Sequence, residues 1–317
     1  MTYQLTAISN DRTNLPNLPG WVTSGRAETP ETVAFRSGAA LTVLDQLVSD
    51  PRHGVPLKLL ANRMALSAAT TTSKLEGRLA READIRDAFH LTPPGEARGP
   101  DGDLLAFWRE GVGLRVGGTG AVADLVGANF AGEVGVWLDA GLERARTHGP
   151  LAGCVAVLRA VLKTDDRAER IACLLSDIVL ARALNWQQVL PVTARRLTKT
   201  ALRDLIADWQ GAELAVQVRI FESIEETIRL ARDLARRAEA LRTVAPKLRA
   251  KGSKAAVDLF LIEDAVAPAS MLSPYIRGTT IPMTDRAARR FCDRLVELGV
   301  ARELTGRPTF RLYGIAP

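Results

Sequence analysis

Seven arginines near the end of the chain have the chemistry and the spacing of nucleic-acid contacts. They are Arg286, Arg289, Arg290, Arg294, Arg302, Arg307 and Arg311. A guanidinium group presents a rigid fork of N–H donors, and that fork matches both a phosphate and the edge of a guanine. We expect Arg286, Arg289 and Arg290 to enter the major groove of duplex DNA. Arg307 is expected to contact a phosphate or the minor groove.

The residues around these arginines predict a helix followed directly by a two-stranded hairpin. Thr284 or Asp285 can cap the first turn of the helix, and Gly299 can end it in the left-handed conformation. Its apolar stripe recurs at spacings of three and four residues and consists of Ala288, Phe291, Leu295 and Leu298. The hairpin is predicted over residues 300–314, with residues 306–308 at its tip. Its side chains expected to face the core are Leu304, Phe310 and Leu312.

A basic helix followed by a basic hairpin is typical of the end of a winged helix-turn-helix module, and such modules often bind DNA. We assign this module to residues 252–317, with its first helix at 255–266. The second helix should lie between Pro268 and Pro274, where the helical pattern is weak. Two alternatives remain open. The arginines on the outer face could be only solvated, as is often the case, or the module could serve in dimerisation or protein docking.

The charge of the chain is unevenly distributed. The net charge is +6 at pH 7, yet residues from Arg229 onward hold 17 Lys/Arg against 9 Asp/Glu, an excess of eight positive charges. All of the positive excess therefore lies in the C-terminal part, which favours a nucleic-acid-facing end. An acidic protein partner, or solubility alone, would account for the same asymmetry.

Composition excludes several other classes of protein. No apolar run approaches the length of a membrane span, and the N-terminus lacks the pattern of a secretory signal. The cysteines, Cys154, Cys173 and Cys292, are odd in number and widely spaced. This usage fits a reducing cytoplasm and gives no metal-ligand spacing. We therefore predict a cytoplasmic protein with no membrane partner.

The pattern along the chain predicts a mainly α fold. Residues 1–34, rich in Asn, Pro, Thr and Gly, read as an irregular N-terminal arm. Residues 35–245 contain successive amphipathic patterns of helical period and predict a multi-helix, bundle-like domain. The C-terminal winged helix-turn-helix module, residues 252–317, completes this organisation.

A search for catalytic chemistry finds no strong motif. His53, His90 and His148 each lie beside a turn, where a histidine is usually solvent-exposed or caps a neighbouring group, and none has a partner at metal-ligand or triad spacing. Glu222 and Glu226 share a helical face, but arginines close by favour a solvated ion-pair face over a metal site. We predict no catalytic residue, no metal site and no cofactor, and hence a protein that is not an enzyme.

One short motif resembles a regulatory element of a known enzyme family. Residues 72–77, Thr-Ser-Lys-Leu-Glu-Gly, resemble the inhibitory helix of Fic proteins, which transfer nucleotide groups to hydroxyl side chains. In that family the glutamate pairs with an arginine that would otherwise hold the γ-phosphate. The Fic catalytic loop is absent from this chain, so the resemblance implies a degenerate, non-catalytic relative. We interpret Glu76 as structural.

Longer stretches resemble the bacterial family catalogued as domain of unknown function 1403. The stretches are residues 91–95, 181–186, 244–252 and 285–290 onward to Tyr313. The resemblance spans most of the chain after the arm, and it implies neither catalytic residues nor a cofactor. The leading hypothesis is thus a regulator or accessory factor that binds duplex DNA. The alternatives are a helical interaction or dimerisation protein and a degenerate Fic-like protein.

Overall fold

The computed structural model describes residues 15–24, 28–93, 95–248, 252–307 and 309–315. Its α-helices are α1 Gly20–Thr23, α2 Pro30–Ser49, α3 Leu57–Leu75, α4 Glu82–Leu91, α5 Gly99–Gly113, α6 Gly120–Val126, α7 Ala128–Ala131, α8 Val134–His148, α9 Pro150–Thr164, α10 Glu169–Ala183, α11 Lys199–Ile206, α12 Ala212–Val244, α13 Ser253–Phe260 and α14 Asp285–Glu297. The strands β1 Ala301–Glu303 and β2 Tyr313–Ile315 pair in antiparallel fashion. Short 3-10 turns lie at Pro51–His53, Thr193–Arg196 and Ala245–Lys247, and a π-helical turn at Pro268–Leu272. The prediction of a mainly α fold is confirmed.

Helix α2 begins earlier than the predicted arm allows. The Thr29 side chain accepts from the backbone N–H of Thr32, and the Thr32 side chain accepts from the N–H of Thr29, which makes a capping box. Pro30 occupies the first helical position, where its missing N–H costs nothing. The last residues of the predicted arm are therefore helical. Residues 1–14 and 25–27 of the arm lie outside the described residues.

Small residues let helices α8 and α9 cross closely. A Cβ on Gly153 would lie 2.6 Å from the carbonyl oxygen of Gly141 and 2.7 Å from the Cβ of Ala145. Backbone thus packs directly against backbone at this crossing, and α10 packs against both helices. A side chain at Gly153 would force the helices apart, which is costly in a close-packed interior.

One apolar cluster holds the described chain together. Its buried members run from Leu15 near the N-terminus to Ile315 in β2. Trp108 on α5 is fully buried near its centre, and its indole N–H donates to the hydroxyl of Thr72 at 3.1 Å. The C-terminal segment therefore shares a core with the helices before it. Within the ranges described, no helix has the length and apolarity needed to cross a membrane.

A buried carboxyl group fixes the turn after α10. Asp177 is fully buried, and its Oδ1 accepts from the backbone N–H groups of Val192 and Thr193, each at 2.9 Å. Burial raises the pKa of Asp177 to about 8, although the hydrogen bonds from Thr193 and Val192 oppose the shift. The carboxyl group is thus mostly protonated at neutral pH in the folded protein.

Asp177 should make stability depend on pH. In the unfolded chain its carboxyl ionises near the ordinary pKa, whereas the folded protein keeps the proton up to about pH 8. The free energy of unfolding should therefore fall as pH rises from about 4 towards 8. Asp177→Asn keeps the acceptor oxygen and removes the titration, so the variant should gain at least about 1 kcal/mol relative to the wild type between pH 5 and pH 8. Urea unfolding of the wild type and the variant at pH 5 and pH 8 measures the difference in their free energies of unfolding. The same difference at both pH values would contradict the prediction.

Candidate nucleic-acid interface

The C-terminal segment consists, in chain order, of a helix, an extended segment, a helical turn, a second helix and a hairpin. After α13, Val266 forms an antiparallel bridge with Tyr313, with N–H to carbonyl distances of 2.7 and 2.9 Å. Strand β2 therefore lies between Val266 and β1, whose Ala301 pairs with Ile315. Helix α13 ends at Phe260, earlier than the predicted first helix at 255–266.

The predicted second helix is a single π-helical turn, Pro268–Leu272, with Met271 and Leu272 buried. A bridge between Tyr275 and Pro282 closes the loop that follows. The weak helical pattern between the prolines thus corresponds to a short turn that still contributes two residues to the core.

Helix α14 follows its sequence pattern closely. Thr284 is the cap, and its side chain accepts from the N–H of Ala287 at 3.3 Å. Three of the four predicted stripe residues, together with Cys292, are buried: Ala288, Phe291 and Leu295. The opposite face of the helix, 180° from this stripe, carries Arg286 and Arg290.

Arg286 and Arg290 are exposed and close to each other, since residues four apart on a helix are neighbours. Neither forms an ion pair with any residue that the structure describes, and the same holds for Lys247. These three cations therefore remain available for an external anion.

Three other predicted arginines are held by carboxylates of the same chain. The pairs are Arg289–Asp285 at 2.6 Å, Arg294–Glu297 at 2.8 Å and Arg307–Asp87 at 3.4 Å. Both partners are exposed in the pairs of Arg289 and Arg294, and such pairs contribute little free energy, so a phosphate can replace these two carboxylates at small cost. The carboxylate of Asp87 is mostly buried, so the pair of Arg307 is held more firmly.

The remaining two arginines lie on the hairpin. Arg302 is exposed on β1, opposite Gly314. The Nε of Arg311 donates to the carbonyl oxygen of Arg307 at 3.3 Å. Next to it, the hydroxyl of Tyr313 donates to Asp293 on α14 at 3.2 Å. Arg311 therefore stands beside the helix on its hairpin side.

A groove borders α14 on its other side. It has a volume of about 680 Å³ and is lined by Lys247, Leu248, Thr284, Arg286, Ala287, Arg290, Phe291 and Arg294. Its lining combines four cationic side chains with the apolar side chains of Leu248, Ala287 and Phe291. We call this feature the basic groove. Lys247 was not among the predicted site residues, because only the fold brings the end of α12 to α14; residues 249–251 between them lie outside the described ranges.

A buried polar cluster fixes the C-terminal segment to the helices α4 and α5. Asp264 Oδ1 lies 3.3 Å from His90 Nε2 and 3.2 Å from Arg109 Nη1, and Arg109 also pairs with Glu263. The side chains of His90 and Asp264 are almost completely buried. The expectation that His90 is exposed is therefore wrong, because a carboxylate 174 residues away provides its partner.

Three further hydrogen bonds join backbone carbonyls of the C-terminal segment to side chains of α3 and α4. The donors and acceptors are Asn62 to Ile262 at 2.8 Å, Arg63 to Ile315 at 2.8 Å and Arg86 to Leu304 at 3.0 Å. Together with the shared core, these bonds set the orientation of α14 relative to the helical region.

A family model described as protein of unknown function (DUF1403) matches residues 6–315, nearly the whole chain. The chain belongs to this family. The resemblance predicted from the sequence is thereby confirmed. A search of curated proteins found no significant match. The description of the DUF1403 family assigns no activity.

The other candidate sites of this DUF1403 protein contain internal ion pairs. Glu76, the glutamate of the Fic-like motif, lies 3.3 Å from Arg170, whose guanidinium covers the ring of Phe107 at 4.9 Å. This packing gives Glu76 a structural contact of its own. On α12, Glu222 pairs with Arg219 at 3.1 Å. Among the described residues, no group of three His, Cys, Asp or Glu side chains is suited to hold a metal ion.

Proposed function

We propose that this protein binds duplex DNA through a C-terminal winged helix-turn-helix module, as a regulator or accessory factor and not as an enzyme. The observation that carries the proposal is that Arg286 and Arg290 on α14 are exposed and form no ion pair with the described part of the chain. A basic groove flanks α14 on one side and a hairpin bearing Arg311 flanks it on the other.

The order of elements supports this assignment. Helix α13 takes the place of the first helix, the π-helical turn Pro268–Leu272 that of the second, and α14 that of the recognition helix. Strands β1 and β2 form the wing, and Val266 supplies a third extended segment on β2. The order corresponds to a winged-helix plan except at the second helix, which is shortened to the turn Pro268–Leu272.

The dimensions of α14 suit a major groove, which admits one α-helix. Residues four apart rise about 6 Å along a helix. Two base-pair steps rise about 6.8 Å, since each step is about 3.4 Å. Arg286 and Arg290 can thus reach base edges or phosphates about two base pairs apart.

Contacts on either side of α14 would position the duplex. Lys247 and Arg294 in the basic groove can bind phosphates of one strand, while Arg311 beside the hairpin can bind phosphates on the opposite side. Phosphate contacts fix the orientation of a protein on DNA, whereas base contacts specify the sequence. The preferred sequence would therefore depend mainly on Arg286 and Arg290.

The test is binding of the full chain to a labelled, mixed-sequence duplex across a salt series. Each phosphate contact should contribute about −0.9 to the slope of log affinity against log salt, so the contacts of Lys247, Arg294 and Arg311 together give about −2.7. The full chain is used because removal of residues 252–317 would uncover the shared core. Absence of binding at the lowest salt would overturn the proposal and favour the alternative, a module that docks a protein partner or a second copy.

A further inference from the structure

The loop of the hairpin exposes an aromatic side chain in an unusual backbone conformation. Phe310 is 72% exposed, although the sequence pattern predicts it in the core. Its φ is +57°, in the left-handed region that bulky residues rarely adopt. By contrast, Leu312 is buried and Leu304 is half-buried. The N–H of Leu304 donates to the carbonyl oxygen of Leu312, and this hydrogen bond closes the base of the loop.

The loop around Phe310 is held at several points. Arg307 pairs with Asp87 on α4, and its carbonyl oxygen accepts from Arg311. The N–H of Leu312 donates to the hydroxyl of Thr305 at 3.4 Å. Described residues on both sides of Phe310 are therefore tied to α4 and to the base of the hairpin. Backbone strain of this kind persists where the surrounding structure imposes it, and it is concentrated at binding and switch sites.

We propose that Phe310 inserts into the minor groove of the bound duplex as an apolar wedge between base pairs. The inference rests on the proposed function, and it adds that the protein kinks DNA. Apolar side chains that enter a minor groove unstack a base step and bend the duplex by about 20–90°. The hydrogen bond from Tyr313 to Asp293 holds the hairpin beside α14, so with α14 in the major groove the hairpin would reach the neighbouring minor groove.

The charges beside Phe310 favour this occupant. Arg307 and Arg311 flank the ring in the chain and place positive charge on both sides of it. Arg311 is exposed and has no ion pair with a described carboxylate, so it can bind a phosphate on a wall of the groove, whereas Arg307 stays paired with Asp87. A protein partner that offered only an apolar pocket would leave Arg311 beside that pocket without an anion. A nucleic acid supplies both the aromatic stack and the phosphates.

The test compares the wild type with Phe310→Ala, Phe310→Asn and Phe35→Ala. Phe35 on α2 is 62% exposed and serves as the matched control. A mixed-sequence duplex with fluorophores at both ends reports affinity and bend together. We expect Phe310→Ala to weaken binding about tenfold, as loss of an aromatic stacking contact does, and to remove the bend. The salt slope should not change, because no phosphate contact is lost. Phe35→Ala should bind and bend as the wild type does.

Phe310→Asn separates a binding role from a structural one. Asn tolerates the left-handed conformation, so this variant should keep or raise the thermal midpoint while it loses the bend. A wild-type bend in Phe310→Ala would overturn the wedge and leave DNA binding intact. A lowered thermal midpoint in Phe310→Asn would also overturn it, since the ring would then support the fold. If the wild type does not bind duplex DNA at all, the wedge and the proposed function both fail.

Discussion

The double substitution Arg286→Ala/Arg290→Ala should weaken binding to a mixed-sequence duplex at least about thirtyfold, since each lost arginine contact costs about 1–3 kcal/mol. Both side chains are exposed and have no ion pair with the residues described, so their loss changes the binding surface and leaves internal pairs intact. The measurement is a titration of labelled duplex at fixed salt, repeated across a salt series. The slope should also become shallower if either residue binds a phosphate.

A matched control removes the same charge elsewhere. Arg115 and Arg203 are also exposed and lie in the helical region, after α5 and on α11. The variant Arg115→Ala/Arg203→Ala has the same net charge as the test variant, so it measures the effect of overall charge alone. We expect it to bind within about threefold of the wild type, because charges beyond a Debye length of about 10 Å are largely screened. Equal losses in the two double variants would show that α14 has no special part in binding.

Asp264→Ala should lower the free energy of unfolding by about 3–5 kcal/mol, the usual cost of breaking a buried ion pair. The substitution leaves His90 and Arg109 facing a cavity between the C-terminal segment and α4 and α5. Urea unfolding at pH 7 measures the loss. The control is Glu297→Ala, which breaks the exposed pair with Arg294 and should cost less than about 1 kcal/mol. Similar losses in both variants would contradict a special role for the buried cluster.

The pH dependence of the free energy of unfolding provides a second test of the cluster around Asp264. Burial would raise the pKa of Asp264, but the charges of His90 and Arg109 outweigh it and lower the pKa. Its contribution to stability is therefore present above the ordinary carboxyl pKa and is lost as pH falls through the lowered one. Asp264→Asn should remove this acid-sensitive component. The sign is opposite to that of Asp177, so the two substitutions are distinguishable in one set of unfolding curves.

Local features of the interface could be predicted from the sequence because they depend on neighbours within one turn. The Thr284 cap and the apolar stripe of α14 follow from spacing, and so does the hairpin after Gly299. The mainly α class follows from repeated helical patterns. These features predict which face of α14 exposes its arginines. They do not determine which of the arginines form ion pairs within the chain.

Long-range pairs could not be predicted in this way. Asp87 reaches Arg307 and Asp264 reaches His90 only after the chain has folded, and no spacing in the sequence encodes either pair. Lys247 joins the groove for the same reason. Phe310 differs, since alternation along the second strand predicts a buried side chain, whereas β2 begins only at Tyr313 and leaves Phe310 in the loop.

Helix α12 is a single rod of 33 residues that runs from Ala212 to the residues just before the basic groove. Its length is about 50 Å, at 1.5 Å per residue. A tilt of one degree about its first turn would therefore displace its last turn by about 0.9 Å. Since α12 ends three residues before Lys247, a small change in packing around its first turns would alter the distance between Lys247 and Arg286. Under the proposed function, that distance is the one that a bound phosphate would have to match.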